Sequence, residues 1–157
     1  VDLRLNEAVS ELTGNTKVKG IITNKGETIP ADVVIIATGV KPNTSFLKDS
    51  GIKMLPNGAL IVDEHGKTSI EDIYAAGDCA SIKNIVSGED TYVPLATGAN
   101  KLGRIVGENL AGKNSVFPGS LASSCIKVMN MEAASTGLTE MQAKKLGLNY
   151  KNLKANK

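Results

Sequence analysis

The chain has 157 residues, 41% of them hydrophobic and 22% charged, with a mean hydropathy of −0.05. That is enough apolar side chain to build a core, which argues against intrinsic disorder, and the length suits one ordinary domain or two small ones. A formal net charge of +2 is too mild for a nucleic-acid footprint, and the longest continuous apolar stretch, Val33 to Ala37, falls far short of the ~20 residues of a membrane span. No basic, apolar leader is visible, so the reading is cytoplasmic. Cys79 and Cys125 lie far apart, and His65 is the single histidine. Neither a disulfide framework nor a metal site is therefore expected, and both thiols read as packed. Aromatics make up 3%, there is no Trp, and the sequence begins at Val1.

In chain order, the first segment predicts a β-meander. Strands over Ala8–Thr13 and Val18–Thr23 are followed by a short return at Thr28–Ile29, with turns at Gly14-Asn15 and Asn24-Lys25-Gly26. Val33 to Ala37 is continuously apolar and β-branched, the pattern of a strand buried on both faces of a parallel sheet. A helical turn around Phe46 and Leu47 comes next, then a turn at Pro56-Asn57-Gly58. Short strands are expected at Leu60–Val62 and Ile73–Ala76.

The clearest helix runs from Pro94 to Ala111, with Leu95, Ala99, Leu102, Ile105, Val106 and Leu110 on one stripe. Pro94 suits its first position and Gly112 its stop. Gly98, Gly103 and Gly107 lower its propensity, and close packing is the expected compensation. Beyond Phe117-Pro118-Gly119 come a strand over Cys125–Met131, a turn at Ser135–Gly137 and a helix over Thr139–Leu146 with a Thr139/Gln142 capping box. The tail from Lys144 onward has five lysines and no acid, and reads as solvated.

The chemistry concentrates in Thr68-Ser69-Ile70-Glu71-Asp72-Ile73-Tyr74-Ala75-Ala76-Gly77-Asp78. It delivers a carboxylate to the carboxyl end of an apolar strand, where open α/β sheets bind ligands. Gly77 clears side-chain bulk where a ligand approaches, and Asp78 accepts hydrogen bonds from hydroxyls. An ordinary Gly-Asp turn at a strand end is the competing reading.

This segment resembles the second flavin motif of the pyridine nucleotide–disulfide oxidoreductase family: Thr, four residues, a hydrophobe, an aromatic, Ala, any residue, Gly, Asp. Ala37-Thr38-Gly39 resembles the family's strand exit. Gly58 to Asp63 resembles its G-x-I-x-V-D segment, with Ala59-Leu60 a mild departure. Pro94-Leu95-Ala96 opens the helix that follows the Gly-Asp motif, and Ser135 to Glu140 resembles the start of the interface domain. The branch it is most similar to holds NADH oxidases, NADH peroxidases and coenzyme A-disulfide reductases.

The resemblance implies an FAD- and NAD(P)H-dependent enzyme. Hydride would pass from NAD(P)H through flavin to a cysteine redox centre, and electrons on to oxygen, peroxide or a small disulfide such as coenzyme A disulfide. It assigns Asp78 to a ribityl hydroxyl of FAD and aims the helix at Pro94 toward the flavin ring. The implied cofactor-binding residues are Thr68, Ile73, Gly77, Asp78, Pro94, Leu95, Ala96, Thr38 and Gly39.

The fold class it implies is α/β (α+β in these residues): part of a Rossmann-like FAD/NAD(P) sheet, the meander, and the start of an α+β dimerisation domain. Residues 1–42 would close the NAD(P)H-binding domain, 43–118 form the second FAD-domain segment, and 119–157 begin the interface domain. No G-x-G-x-x-G occurs, and neither cysteine matches the family's redox position. The expectation is therefore a carboxyl-terminal fragment, inactive alone and prone to homodimerise through exposed strand edges. Other readings are a non-catalytic self-associating remnant and a ferredoxin or rubredoxin reductase-like parent. Gly107 to Asn114 mimics a phosphate loop but closes a helix where such a loop opens one. Asp63-Glu64-His65 reads as a solvated turn.

Overall fold

The computed structural model describes residues 1–155 of the chain. Asn156 and Lys157, the last two positions of the lysine-rich tail, lie outside the described residues. The chain divides into two compact units, Val1–Gly39 and Val40–Lys157.

The first unit is the meander. Strands β1 (Val9–Thr13), β2 (Gly20–Thr23) and β3 (Thr28–Pro30) form an antiparallel sheet in that order. Register is set at Leu12↔Ile21 and Ile21↔Ile29, with a shift between Val9 and Glu11. The β2–β3 turn is organised by buried Thr23, whose hydroxyl accepts from the N–H groups of Lys25 and Glu27 at 3.3 Å. Arg4 bonds the carboxylates of Asp2 and Glu27, tying the leading segment to that turn.

Val33 to Ala37 is a correction. It forms no strand, and Val33, Ile35 and Ile36 are strongly exposed. A strand exists only where neighbours take its backbone N–H and C=O groups. No segment among the described residues pairs with this one.

The second unit is mixed α/β and loop-rich. A 3₁₀ turn spans Ser45–Leu47. Strands β4 (Ile82–Lys83) and β5 (Asp90–Thr91) pair antiparallel, helix α1 covers Ala96–Leu110, strands β6 (Ser124–Val128) and β7 (Met131–Ser135) make a hairpin, and helix α2 covers Glu140–Lys145. Its core is Ile52, Leu60, Val62, Ala75, Ala80 and Leu102.

Leu60–Val62 and Ile73–Ala76 are extended and partly buried but pair only through isolated bridges, Met54↔Leu60 (antiparallel), Leu60↔Ala80 (parallel) and Lys67↔Tyr74 (antiparallel). Apolar pattern located the buried positions, while the lack of adjacent strands keeps these runs from becoming full strands. The single strand expected over Cys125–Met131 is instead a hairpin turning at Met129-Asn130, and Cys125 is exposed rather than packed.

Helix α1 begins at Ala96, two residues later than expected. Leu95 is its N-cap, so Pro94 precedes the cap. Leu102 is the buried centre of the stripe, whereas Leu110 is 68% exposed. Only Gly98 of the three glycines packs closely: a Cβ there would lie 2.6 Å from Ile82 Cδ1, while Gly103 and Gly107 face open space. The α2 capping box is present as read, and Gly147 follows the helix at φ +66°. The tail folds back on that helix, with Tyr150 Oη donating to Glu140 Oε1 at 3.4 Å and Asn152 Nδ2 bonding Glu140 Oε2. Among the described residues no helix is long and apolar enough to cross a membrane.

Candidate functional site

Thr68 to Asp78 folds as a tight turn, a short extended run and a second turn. Thr68 is half-buried, and its hydroxyl accepts from the Ile70 N–H and donates to the Ile70 carbonyl, both at 3.2 Å. That hydroxyl is committed to its own turn. Asp72 sits at φ +60°, an arrangement short acidic side chains tolerate. The chain then returns along residues 66–68, with Thr68 N bonding Ile73 O and Ala75 N bonding Gly66 O, each at 2.9 Å. Ala75 is buried in the core, Tyr74 is half-buried and Ile73 is 44% exposed.

The second turn carries the carboxylate. Gly77 adopts φ +90°, a conformation that favours glycine, and a Cβ there would meet nothing within 4 Å. Ala80 N bonds Gly77 O at 3.2 Å, closing the turn. Asp78 is exposed and takes part in none of the ion pairs among the described residues. The turn is anchored beneath by Leu60 N to Cys79 O at 2.8 Å and Ser81 N to Leu60 O at 2.7 Å. Cys79 is half-buried, its thiol donating to Ala76 O at 3.3 Å.

Helix α1 presents its amino end without a side-chain cap and without an acid in its first turn. Gly98 N and Ala99 N both reach Leu95 O, at 3.0 and 3.1 Å. The N–H groups of Ala96 and Thr97 have no backbone partner among the described residues, and both residues are exposed. Pro94 and Leu95 are half-buried. The end therefore offers free donors and the positive pole of the helix dipole. Ile82, four residues beyond Asp78, seats the first turn at Gly98.

Thr38 and Gly39 belong to the first unit, where both are exposed and Gly39 sits at φ +86° with open space beside it. A cavity of about 630 Å³ in the second unit is lined by Val62, Asp63, His65, Ile82, Leu102 and Phe117 among others. Thr68 is the one candidate residue on its wall. Asp63-Glu64-His65 is more structured than a solvated turn: His65 is half-buried and its Nδ1 lies 3.1 Å from Ser115 O. Sequence pattern did not single out Asn109, which bonds this turn from the last part of α1. An Asn close before a helix-stop glycine was its one available signal. Among the described residues no group of three or more His, Cys, Asp or Glu side chains is placed to hold a metal ion.

Residues 1–103 match the family model described as pyridine nucleotide-disulphide oxidoreductase. A NAD(P)H sulfur oxidoreductase (CoA-dependent) from Pyrococcus furiosus is 43% identical over 158 residues, covering 99% of this chain and 36% of that protein. A NAD-dependent persulfide reductase from A. fulgidus superimposes with a TM-score of 0.79 at 40% identity, over 91% of this chain and 26% of that one. A water-forming NADH oxidase from Lactobacillus brevis, solved bound to NADH, superimposes with a TM-score of 0.80 at 37% identity, over 91% of this chain and 31% of that one. The chain spans about a third of the length of the curated relative it matches.

Proposed function

The chain belongs to the pyridine nucleotide-disulphide oxidoreductase family, and from that premise we propose that it supplies one side of the flavin site of an FAD-dependent NAD(P)H oxidoreductase. The observation that carries the reading is the Gly77–Asp78 turn: an exposed carboxylate, in no ion pair among the described residues, next to a glycine with open space where a side chain would stand. Its donor set fits FAD. Asp78 accepts from ribityl hydroxyls, and Gly77 leaves the backbone approachable. The free N–H groups of Ala96 and Thr97 suit the N1/C2-carbonyl side of the flavin ring, where reduction adds negative charge. A helix terminus of this kind favours that charge by roughly 0.3–2 kcal/mol.

Pro94 and Leu95 set where the helix starts, and Thr68 and Ile73 shape the turn that leads to Asp78. Thr38 and Gly39 lie at the exit of the first unit, which we assign, with residues up to 42, to the nucleotide-binding domain. Residues 43–118 then belong to the flavin domain and 119–157 to the interface domain. When bound, FAD supplies two-electron transfer between the nicotinamide and a cysteine centre. The acceptor class is oxygen, peroxide or a small disulfide. Relatives named as sulfur or persulfide reductases favour a sulfur acceptor. These 157 residues hold no G-x-G-x-x-G, and we expect no NADH turnover from them alone with added FAD.

The test is an FAD fluorescence titration of the full chain and of Asp78→Ala. A hydrogen bond to a charged group contributes about 1.5–3 kcal/mol, so Asp78→Ala should weaken binding roughly 10- to 150-fold. Superimposable titrations would overturn the assignment. The second reading, self-association, is favoured by the open hairpin β6–β7, exposed at every position. It places a homodimer contact in residues 119–157.

A further inference from the structure

Helix α1 is held at both ends, by Ile82 just beyond the Asp78 turn and by the 63–66 turn that pairs with the run leading to it. At its amino end Gly98 seats on Ile82. At its carboxyl end the clamp is Asn109, whose Nδ2 donates to His65 O at 3.0 Å and to Ser115 O at 2.9 Å, while its Oδ1 accepts from Ser115 N at 2.7 Å. Nδ2 and Oδ1 together pair with the Ser115 backbone as a neighbouring strand would. His65 Nδ1, facing the Ser115 carbonyl at 3.1 Å, is the donor there, since a carbonyl only accepts.

The turn held by Asn109 leads straight to the site. Asp63 Oδ1 accepts from the N–H groups of His65 and Lys67, each at 2.9 Å, which stiffens the turn. Gly66 then gives its carbonyl to Ala75 N at 2.9 Å, three residues before Asp78. A Cβ on Gly66 would overlap Val106 Cγ2, so α1 and this turn touch backbone to side chain with no slack. One hydrogen bond from Asn109 and one from Gly66 thus connect the far end of α1 to the extended run that ends in the Gly77–Asp78 turn.

We infer that Asn109 is a positioning residue for the flavin, holding the Gly77–Asp78 turn in register with the helix whose amino end completes the site. The inference rests on the proposed flavin site and adds to it a residue remote from the cofactor. An Asn is required because both donor and acceptor are used. Asp keeps the acceptor for Ser115 N but turns a carboxylate oxygen toward the carbonyls of His65 and Ser115.

The test is a double-mutant cycle on the full chain, read as FAD affinity by fluorescence quenching below the melting temperature of every variant. Asn109→Ala should weaken FAD about tenfold, the equivalent of one net hydrogen bond. Combined with Asp78→Ala it should weaken FAD no further, because its effect runs through the position of that carboxylate. Distant sites with no shared partner would add instead. Unchanged affinity in Asn109→Ala, or a full tenfold loss persisting beside Asp78→Ala, would overturn the inference. Asn109→Asp, nearly isosteric, is read in the same cycle and should behave like Ala. This decides the matter if the Ala variant does not fold. Equal titrations for the parent chain and Asp78→Ala would instead overturn the flavin site itself, so the two failures are separable.

Discussion

Gly66 and Gly103 answer opposite questions about the same helix. Gly66 sits at φ +81°, and an added Cβ meets Val106. Gly66→Ala carries backbone strain of about 1–2 kcal/mol and an overpacking cost of about 1–3 kcal/mol. Denaturant unfolding should therefore show a loss of several kcal/mol. Gly103 is helical, exposed and free of neighbours within 4 Å. Gly103→Ala should raise stability by roughly 0.5–1 kcal/mol, and a loss there would mean that the face is covered. Residue type alone marked all three α1 glycines for close packing, whereas which one touches a neighbour depends on helix rotation. Motif order names Asp78 and Gly77 as candidates, and the structure places them together on one turn, with Asp78 exposed. Motif order does not name Asn109, because its partners are backbone atoms 44 and 6 positions away.

Tyr150 is a second residue with a measurable signature. Its phenol is raised above its ordinary value, first by desolvation and then by the Glu140 carboxylate it bonds. A raised acid group favours the folded arrangement below its ordinary pKa and loses that contribution as pH climbs through the raised value. Alkaline absorbance titration should show a tyrosine titrating later than free tyrosine. Glu140→Gln should bring it only part of the way back, since desolvation is the larger cause. A Tyr150→Phe variant that leaves the late phase intact would contradict the assignment.

At the scale of elements, local chemistry and long-range pairing part company. The α2 capping box was readable from Thr139 and Gln142 and is present, with Gln142 N reaching Thr139 Oγ1 at 3.3 Å and Thr139 N reaching Gln142 Oε1 at 2.9 Å. Helix α2 has six residues, too short to persist without its cap and its packing. Thr139→Ala should cost about 1 kcal/mol and raise amide exchange across 140–145 before it touches the meander. The meander was equally legible, because its turns are short and its pairing local. Val33 to Ala37 shows the limit. Its composition suits a strand buried on both faces, yet pairing belongs to two segments, and only one is present among the described residues.

At the scale of the whole chain, surface area sharpens the question of assembly. A folded protein of 16.4 kDa exposes about 7,500 Å², and two separate bodies divided at Gly39 would expose about 8,800 Å². This chain exposes 12272 Å². The excess is apolar in part and has an address. In hairpin β6–β7, Ile126 and Val128 share a face with Met131, which pairs with Val128, and all three are at least half exposed. The opposite face carries the Lys127–Glu132 ion pair at 3.2 Å. A hairpin charged on one side and bare apolar on the other is a surface that associates. Sedimentation at micromolar concentration should give a mass above that of a monomer, and the double variant Ile126→Lys, Val128→Lys should lower it while α1 and the meander stay folded. A parent chain that stays monomeric at every concentration would rule out association through this face and leave the flavin assignment untouched, because Asp78 and the amino end of α1 lie on other elements of the unit.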